Sequence, residues 1–452
     1  MYGLSQSFMT IIHKRIFWLS MVVLFLIISS LIVLYGMGFK YNASTKSLES
    51  TGILYVKTYP RDVNVWLNNE LYANQTPWQK SRLLPGEYIL NIEARDYFSW
   101  QKKIDIKPGE TTFVEDVVLF KREPMIALRN FELLDYLPLA NNNQVLIVNE
   151  NGLQKIIILN LPFENFIDLY TFTEISDLKL ISLSGNDKKL IYQKDDTFWL
   201  INLDYPTEHY RLSGLHSSYW QDFKWHPTDD KVIYSLVDNI LNEIVLDNEK
   251  PVLKNQLSSI YGYFPYTNNI IVAKKDNSDL MLTELTSELK KIKDLIIIPF
   301  STKLSSNNYQ DYLLLTDQIR NKTYFLQLGK EDINAKIFDN FTNFKWYDTM
   351  HDKIAMWNNN EISIYFLNRD DSLLLLRTTD SITDLWWHPN GTYLFYQIDN
   401  NINLIELDER DKRNNYFFSA TETNSPFIIN NKGTTIYSYN HTTQTFYSMD
   451  IQ

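Results

Sequence analysis

Cysteine is absent from all 452 residues, which excludes disulfide frameworks, thiolate zinc sites and cysteine nucleophiles. Glycine (13) and proline (14) are scarce, and glycine-rich phosphate loops are missing. No Gly-x-Ser-x-Gly elbow occurs, so a hydrolase of that type is excluded. Basic residues are also short, 43 against 54 acidic, for a net charge of -11. Phosphate binding needs a basic surface, so no nucleic acid partner is expected. What is plentiful is aromatic: Tyr 29, Phe 25 and Trp 11, which suits a β-rich chain. With 44% hydrophobic and 21% charged residues the composition is globular, with room for about three domains.

Charge is distributed unevenly. Residues 1–50 hold Lys14, Arg15, Lys40 and Lys46 against Glu49, and residues 51–123 are balanced, so the acidic excess falls on the rest. Residues 16–39 read IFWLSMVVLFLIISSLIVLYGMGF, without a charge. A bilayer core of about 30 Å needs roughly 20 helical residues, so a span over 16–38 is expected. Trp18 and Tyr35 lie near its two ends, where aromatic rings prefer the interface. A cleaved signal peptide, with its shorter apolar region, is the rival reading. The Lys14-Arg15 pair and the short leading tail favour a cytoplasmic N-terminus and an extracytoplasmic bulk. The expected order is a tail (1–15), the span (16–38), a polar linker (39–51), a β unit (52–121) and a repeat (122–452).

The β unit shows in alternation. Ile53-Leu54-Tyr55-Val56 reads as a strand, and Val63, Val65 and Leu67 alternate with polar residues before an Asn68-Asn69 turn. Residues 88–92, Ile104 with Ile106, and residues 113–120 supply further strands. Tyr59-Pro60, Val63-x-Val65-x-Leu67-Asn68, Thr76-Pro77, Leu84-Pro85-Gly86-x-Tyr88 and Ala94-x-x-Tyr97 together resemble the PEGA domain family. Asn69, Asn74 and Asp96 stand where that family has glycine, and Asn and Asp best tolerate a left-handed backbone. The resemblance implies a small β-sandwich that is a non-catalytic module of cell-surface or envelope proteins.

Beyond residue 122 one core strand recurs. Its copies are Val145-Leu-Ile-Val148, Leu190-Ile-Tyr-Gln193, Val232-Ile-Tyr-Ser235, Ile270-Ile-Val-Ala273, Tyr312-Leu-Leu-Leu315, Ile354-Ala-Met-Trp357, Leu394-Phe-Tyr-Gln397 and Ile436-Tyr-Ser-Tyr439. A period near 42 suits a four-stranded propeller blade, so eight copies predict eight blades. Hairpin turns follow most copies, among them Asn151-Gly152, Asp195-Asp196, Asp238-Asn239, Asn358-Asn359 and Asp399-Asn400. The last copy lacks an outer strand, and residues 124–129 are placed to supply it and close the ring. The Trp225-His-Pro227 and Trp387-His-Pro389 lead-ins resemble Tol-type and WD-type propeller repeats, although no copy carries a Gly-His or Trp-Asp signature. The fold class expected is all-β with one transmembrane helix, a PEGA-like β-sandwich and an eight-bladed β-propeller.

Chemistry is harder to find. His226 and His388 occupy one place in two repeats, which favours a structural role over catalysis. His209 and His216 lack an acidic partner at metal-ligand spacing. No metal or other cofactor is expected. Aligning the lead-in strands puts Asp135, Asp177, Asp222, Asn343 and Asp384 at one register on a channel rim. A ring of carboxylates would focus negative potential on a cation or amine. The plainer reading is that each side chain caps its own turn. The expected function is a non-catalytic, membrane-anchored envelope scaffold with a protein or glycan partner. The alternative is an extracytoplasmic enzyme acting on a glycan with channel-mouth carboxylates; a cytoplasmic hub needs the reverse topology.

Overall fold

The computed structural model describes residues 11–43, 45–139, 143–215, 221–330, 333–347, 350, 352–399, 401–420 and 426–452. The chain divides into two compact units, residues 1–122 with 408–414 and 452, and residues 123–407 with 415–451.

In the first unit, helix α1 spans Ile11–Gly36. Its stretch Lys14–Gly36 has 23 residues, about 35 Å at 1.5 Å per residue, and is long and apolar enough to cross a membrane. Within it, Ser20 and Ser29 turn their hydroxyls back to donate to the carbonyls of Phe17 (2.8 Å) and Leu26 (3.1 Å). Such back-bonding hides polar groups that lipid cannot satisfy. The helix ends at Gly36, two residues before the expected limit of the span, and Gly38 turns the chain at a φ of +86°. The polar linker is folded: Phe39–Asn42 pairs antiparallel with Ser47–Ser50. Thr45 and Asn42 side chains donate to Glu49 across that turn and hold its carboxyl below the usual range.

Two sheets follow and share one apolar core. One orders Trp78–Leu83, Gly52–Tyr59 and Thr111–Val118, the last pair parallel. The other orders Glu70–Ala73, Asn64–Leu67, Gly86–Glu93 and Trp100–Ile106. Period-two alternation drives Leu54, Val56, Val65, Leu90, Ile92, Ile104 and Ile106 inward. Gly52 cannot carry a side chain, because a Cβ there would lie 2.5 Å from the Lys107 carbonyl oxygen. Asn69 and Asp96 adopt φ of 65° and 66°, as expected where glycine is replaced; Asn74 does not adopt a positive φ.

The second unit is a series of eight four-stranded antiparallel sheets. Sheet I spans residues 132–171, II 178–211, III 221–257, IV 260–299, V 304–339, VI 343–377 and VII 382–420. In each, the strands follow chain order. Sheet VIII takes Phe427–Ile429, Thr435–Asn440 and Thr445–Asp450 from the end of the chain, and its outer strand is Ile126–Asn130. The closure expected of residues 124–129 is thus present, shifted to 126–130. Each recurring tetrad lies in the second strand of its sheet, and all of its residues but the half-buried Gln193 and Tyr312 are buried, on both faces, hence the largely apolar run. Apolar layers lie between sheets: Val145 and Ile147 meet Leu190 and Tyr192 between I and II, and Leu146 and Val148 meet Tyr437 and Tyr439 between I and VIII. First strands of adjoining sheets approach one another in I–II, II–III, IV–V and VI–VII.

The lead-in aromatics fasten these layers. The indole N–H of Trp225 donates to the Ser182 carbonyl (3.4 Å), that of Trp346 to Asn307 Oδ1 (2.9 Å), and that of Trp387 to the Lys345 carbonyl (3.0 Å). Each bond runs to the preceding sheet. At the closure, Arg129 Nε and Nη2 both donate to Glu150 at 2.8 Å, and Arg129 Nη1 donates to Asp168 at 3.0 Å. Lys155 Nζ reaches the same two carboxylates at 2.8 and 3.0 Å. The outer strand of sheet VIII is therefore tied to sheet I by four alternating charges.

Candidate functional site

The five aligned residues do not share one register. Asn343 pairs with Trp357 and Asp384 with Gln397, the fourth residue of each core tetrad. Asp222 is the extra residue of a bulge between Gln221 and Phe223, with φ of 51°. Asp135 pairs one place earlier, with Ile147, beside a bulge of its own. Asp177 precedes the first strand of sheet II, which starts at Leu178. The count starts from residues that differ in register: Trp346 and Trp387 pair with the first residue of their tetrads, Pro138 with Gln144 one place ahead of its tetrad, and Leu180, three residues after Asp177, with the third residue Tyr192.

Their side chains mostly serve the backbone. Asp135 accepts from its neighbour Tyr136 N–H (2.9 Å) and, across the layer, from Leu180 N–H of sheet II (2.7 Å). Asp384 accepts from Leu385 N–H (2.8 Å) and from the Trp386 indole (3.1 Å). Asp177 is itself held, its N–H donating to Asp195 Oδ1 at 3.0 Å and its carbonyl accepting from Asp195 N–H at 2.7 Å. Asp222 pairs with Lys224 at 3.3 Å. Asn343 donates to Thr342 Oγ1 at 3.3 Å.

Electrostatics at this end are mixed rather than uniformly negative. Burial pushes the Asp384 carboxyl up, while the nearby Lys345 cation opposes the rise. Lys345 Nζ sits 3.2 Å over the Trp386 ring. The Tyr136 phenol is raised by burial and then by the charges of Asp384 and Asp135. With Lys224 beside Asp222 and Lys345 near Asp384, two of the carboxylates have a cation of their own.

The histidines are structural in geometry. His226 Nδ1 accepts from Asp229 N–H (3.1 Å), and the backbone N–H of His226 donates to the Val232 carbonyl (2.9 Å). His388 is 4% exposed, and burial lowers it to about 4. Gly433 lies so close, at φ +73°, that a Cβ would stand 2.4 Å from His388 Nε2. His209 Nε2 faces the Pro206 carbonyl (3.0 Å) and must carry the proton there, so Nδ1 accepts from the Tyr192 hydroxyl (2.7 Å). His216 lies outside the described residues. Among the described residues no group of three or more His, Asp or Glu is gathered as a metal site would need.

A concave site does exist, and it lies elsewhere. Between sheets V and VI a groove of about 520 Å³ is lined by Tyr312, Phe325, Gln327, Lys336, Tyr365 and Asp370. Tyr312 follows the first turn of sheet V, Gln327 and Lys336 flank its last connection, and Asp370 lies in the last turn of sheet VI. Those turns are at the opposite strand ends from Asn343 and Asp384. Tyr312 and Phe325 stack with centroids 5.5 Å apart and planes 6° from parallel, and Phe325 meets Tyr365 edge-on at 5.6 Å. Lys336 Nζ lies 4.5 Å over the Tyr365 ring and donates to Asp370 Oδ1 at 2.5 Å. The Tyr365 hydroxyl donates to the same oxygen at 2.6 Å, and Gln327 Nε2 donates to the Tyr312 hydroxyl at 3.3 Å. Lys336 first, and Tyr365 second, hold the Asp370 carboxyl below the usual range. Sequence reasoning missed this site because its residues come from two repeats and obey no common spacing; Tyr312 was read only as a core strand start.

Residues 51–118 match the PEGA domain. No curated protein matches the chain. Similar solved structures include the Dos1 propeller (10% identity, 73% of this chain and 94% of that one, TM-score 0.48). Others are the β-propeller domain of Myceliophteria thermophila Cps50 (Swd1) (12%, 66% and 100%, TM-score 0.41) and Kluyveromyces lactis Hsv2 (13%, 60% and 98%, TM-score 0.37). Likeness this distant carries no function. The chain joins a PEGA domain, residues 51–118, to a repeat unit whose structural neighbours are WD-type β-propellers.

Proposed function

We propose that this protein is a non-catalytic scaffold of the cell envelope, anchored by one helix, with its PEGA domain and propeller outside the cytoplasm. The observation that carries the reading is the uncharged apolar stretch of residues 16–36 in helix Ile11–Gly36, leading through the hairpin of residues 39–50 into a PEGA domain. The PEGA unit is a two-sheet sandwich. The propeller has eight blades, a count supported by eight successive four-stranded sheets closed by Ile126–Asn130. The boundaries near residues 38, 51 and 122 separate anchor, linker hairpin and domains. Asp135, Asp177, Asp222, Asn343 and Asp384 work as turn and layer chemistry of the scaffold, and binding is to a protein or glycan at the propeller, with no cofactor and no nucleic acid. Carbonate extraction of membranes tests the anchor. The full chain is expected in the pellet, and a variant lacking residues 1–38 in the supernatant. Recovery of the full chain in the supernatant would contradict the reading.

A further inference from the structure

We propose that the groove between sheets V and VI binds a neutral oligosaccharide. This deepens the scaffold reading, on which it rests, by naming the ligand class. A pyranose ring presents an apolar face of C–H bonds and an edge of hydroxyls. Its complement is an aromatic ring bordered by planar acceptors and a donor. The groove has that composition: the half-buried Tyr312 backed by Phe325, the Gln327 amide, the Asp370 carboxylate and the Lys336 ammonium. Asp370 Oδ1 is occupied by Lys336 and Tyr365, which fixes the carboxylate plane. Oδ2 has no hydrogen bond among the described residues, and Asp370 remains 76% exposed, so it can accept from a ligand hydroxyl.

Charge and polarity narrow the class. Lys336 already neutralises Asp370, so this pair does not call for a counter-ion; the described lining holds one other charge, Lys330. A purely apolar ligand would strip water from Asp370 and Gln327 without replacing it, at a cost for each group. A volume near 520 Å³ is within the range of small-molecule sites. Among the described residues the lining holds a single carboxylate, Asp370, which suits binding rather than a hydrolytic pair.

The test uses the full chain in lipid nanodiscs, because sugar-headed detergents would compete. Hexamers of β-1,4-glucose, β-1,4-xylose, α-1,4-glucose, β-1,4-mannose and β-1,4-N-acetylglucosamine are titrated by calorimetry. At least one should bind saturably and remain uncleaved. Tyr312→Ala should weaken it tenfold or more and Asp370→Asn about fivefold. Tyr312→Phe, which keeps the ring, should stay within threefold, and Tyr205→Ala, an exposed tyrosine of sheet II, should leave it unchanged. No binding by any hexamer below millimolar concentration, or binding indifferent to both Tyr312→Ala and Asp370→Asn, overturns the proposal. In either case a chain that still resists carbonate extraction leaves the anchored-scaffold reading standing.

Discussion

Removing the Arg129 guanidinium should loosen the closure of the propeller by a predictable amount. Arg129 is on the strand that completes sheet VIII, and its carboxylate partners are on sheet I. Its two bonds to Glu150, with Lys155 adding a third, depress the Glu150 carboxyl from 4.5 to about 2. At about 1.4 kcal/mol per pH unit that gap is worth at most about 3 kcal/mol to the folded state. Glu150 is 17% and Asp168 41% exposed, so solvent screening trims the figure. Lys155 stays in place in Arg129→Ala, so the expected loss is about 1–2 kcal/mol. In a unit of this size (residues 123–407 with 415–451), at about 2.1 cal/mol/K of unfolding entropy per residue, this corresponds to a melting shift of roughly 1.5–3 °C. The pH dependence carries the sign. A depressed carboxyl stabilises the fold above about pH 4.5, and the benefit is lost as pH falls toward 2. Scanning calorimetry from pH 7 to pH 2.5 should therefore show parent and variant converging in acid. Lys188→Ala, which removes an exposed pair with Asp204, should shift melting by less than 1 °C. If Arg129→Ala melts within 1 °C of the parent at pH 7, or if the gap persists unchanged in acid, the network is not what secures the closure.

Two further outcomes follow from the site chemistry. His388, neutral when folded down to about pH 4, is protonated in the unfolded chain below about 6.5, so stability should fall between those values by up to about 3 kcal/mol; His388→Gln should flatten that slope in a denaturant series. Asp135→Ala leaves the Tyr136 and Leu180 N–H groups without their acceptor and should cost about 1–2 kcal/mol, while Asp222→Asn should cost under about 1 kcal/mol. The two should add, because they share no partner; a gain in stability from either would instead mark mutually repelling charges.

Much of the fold was legible because its second strands are buried on both faces and so repeat as apolar tetrads. Turn chemistry was legible too: Asn151, Asp195, Asp238 and Asp399 take the left-handed φ expected of the hairpins. Asn358 instead caps its turn, accepting from the N–H groups of Asn360 and Glu361 at 2.9 Å each. Edge strands hid better. Glu70–Ala73 is largely exposed, and Trp78–Leu83 turns charged side chains outward, so neither shows a sharp apolar alternation. The hairpin of residues 39–50 is short and polar and reads as linker. The aspartate alignment failed because its reference residues pair at different places, Trp346 with the first residue of a tetrad, Trp225 with the second and Pro138 with Gln144 ahead of one, a difference that composition does not show. The groove was invisible because it assembles Tyr312, Lys336 and Asp370 from different turns of adjoining sheets.

The absence of native cysteine allows the topology itself to be read directly. Ile175, 77% exposed in the repeat unit, and Ser7 in the leading tail can each be replaced by cysteine as the sole thiol of the chain. A membrane-impermeant maleimide applied to spheroplasts should label Ile175→Cys at once and Ser7→Cys only after lysis. Labelling of Ser7→Cys in intact spheroplasts, with Ile175→Cys protected until lysis, would place the propeller in the cytoplasm and contradict the account.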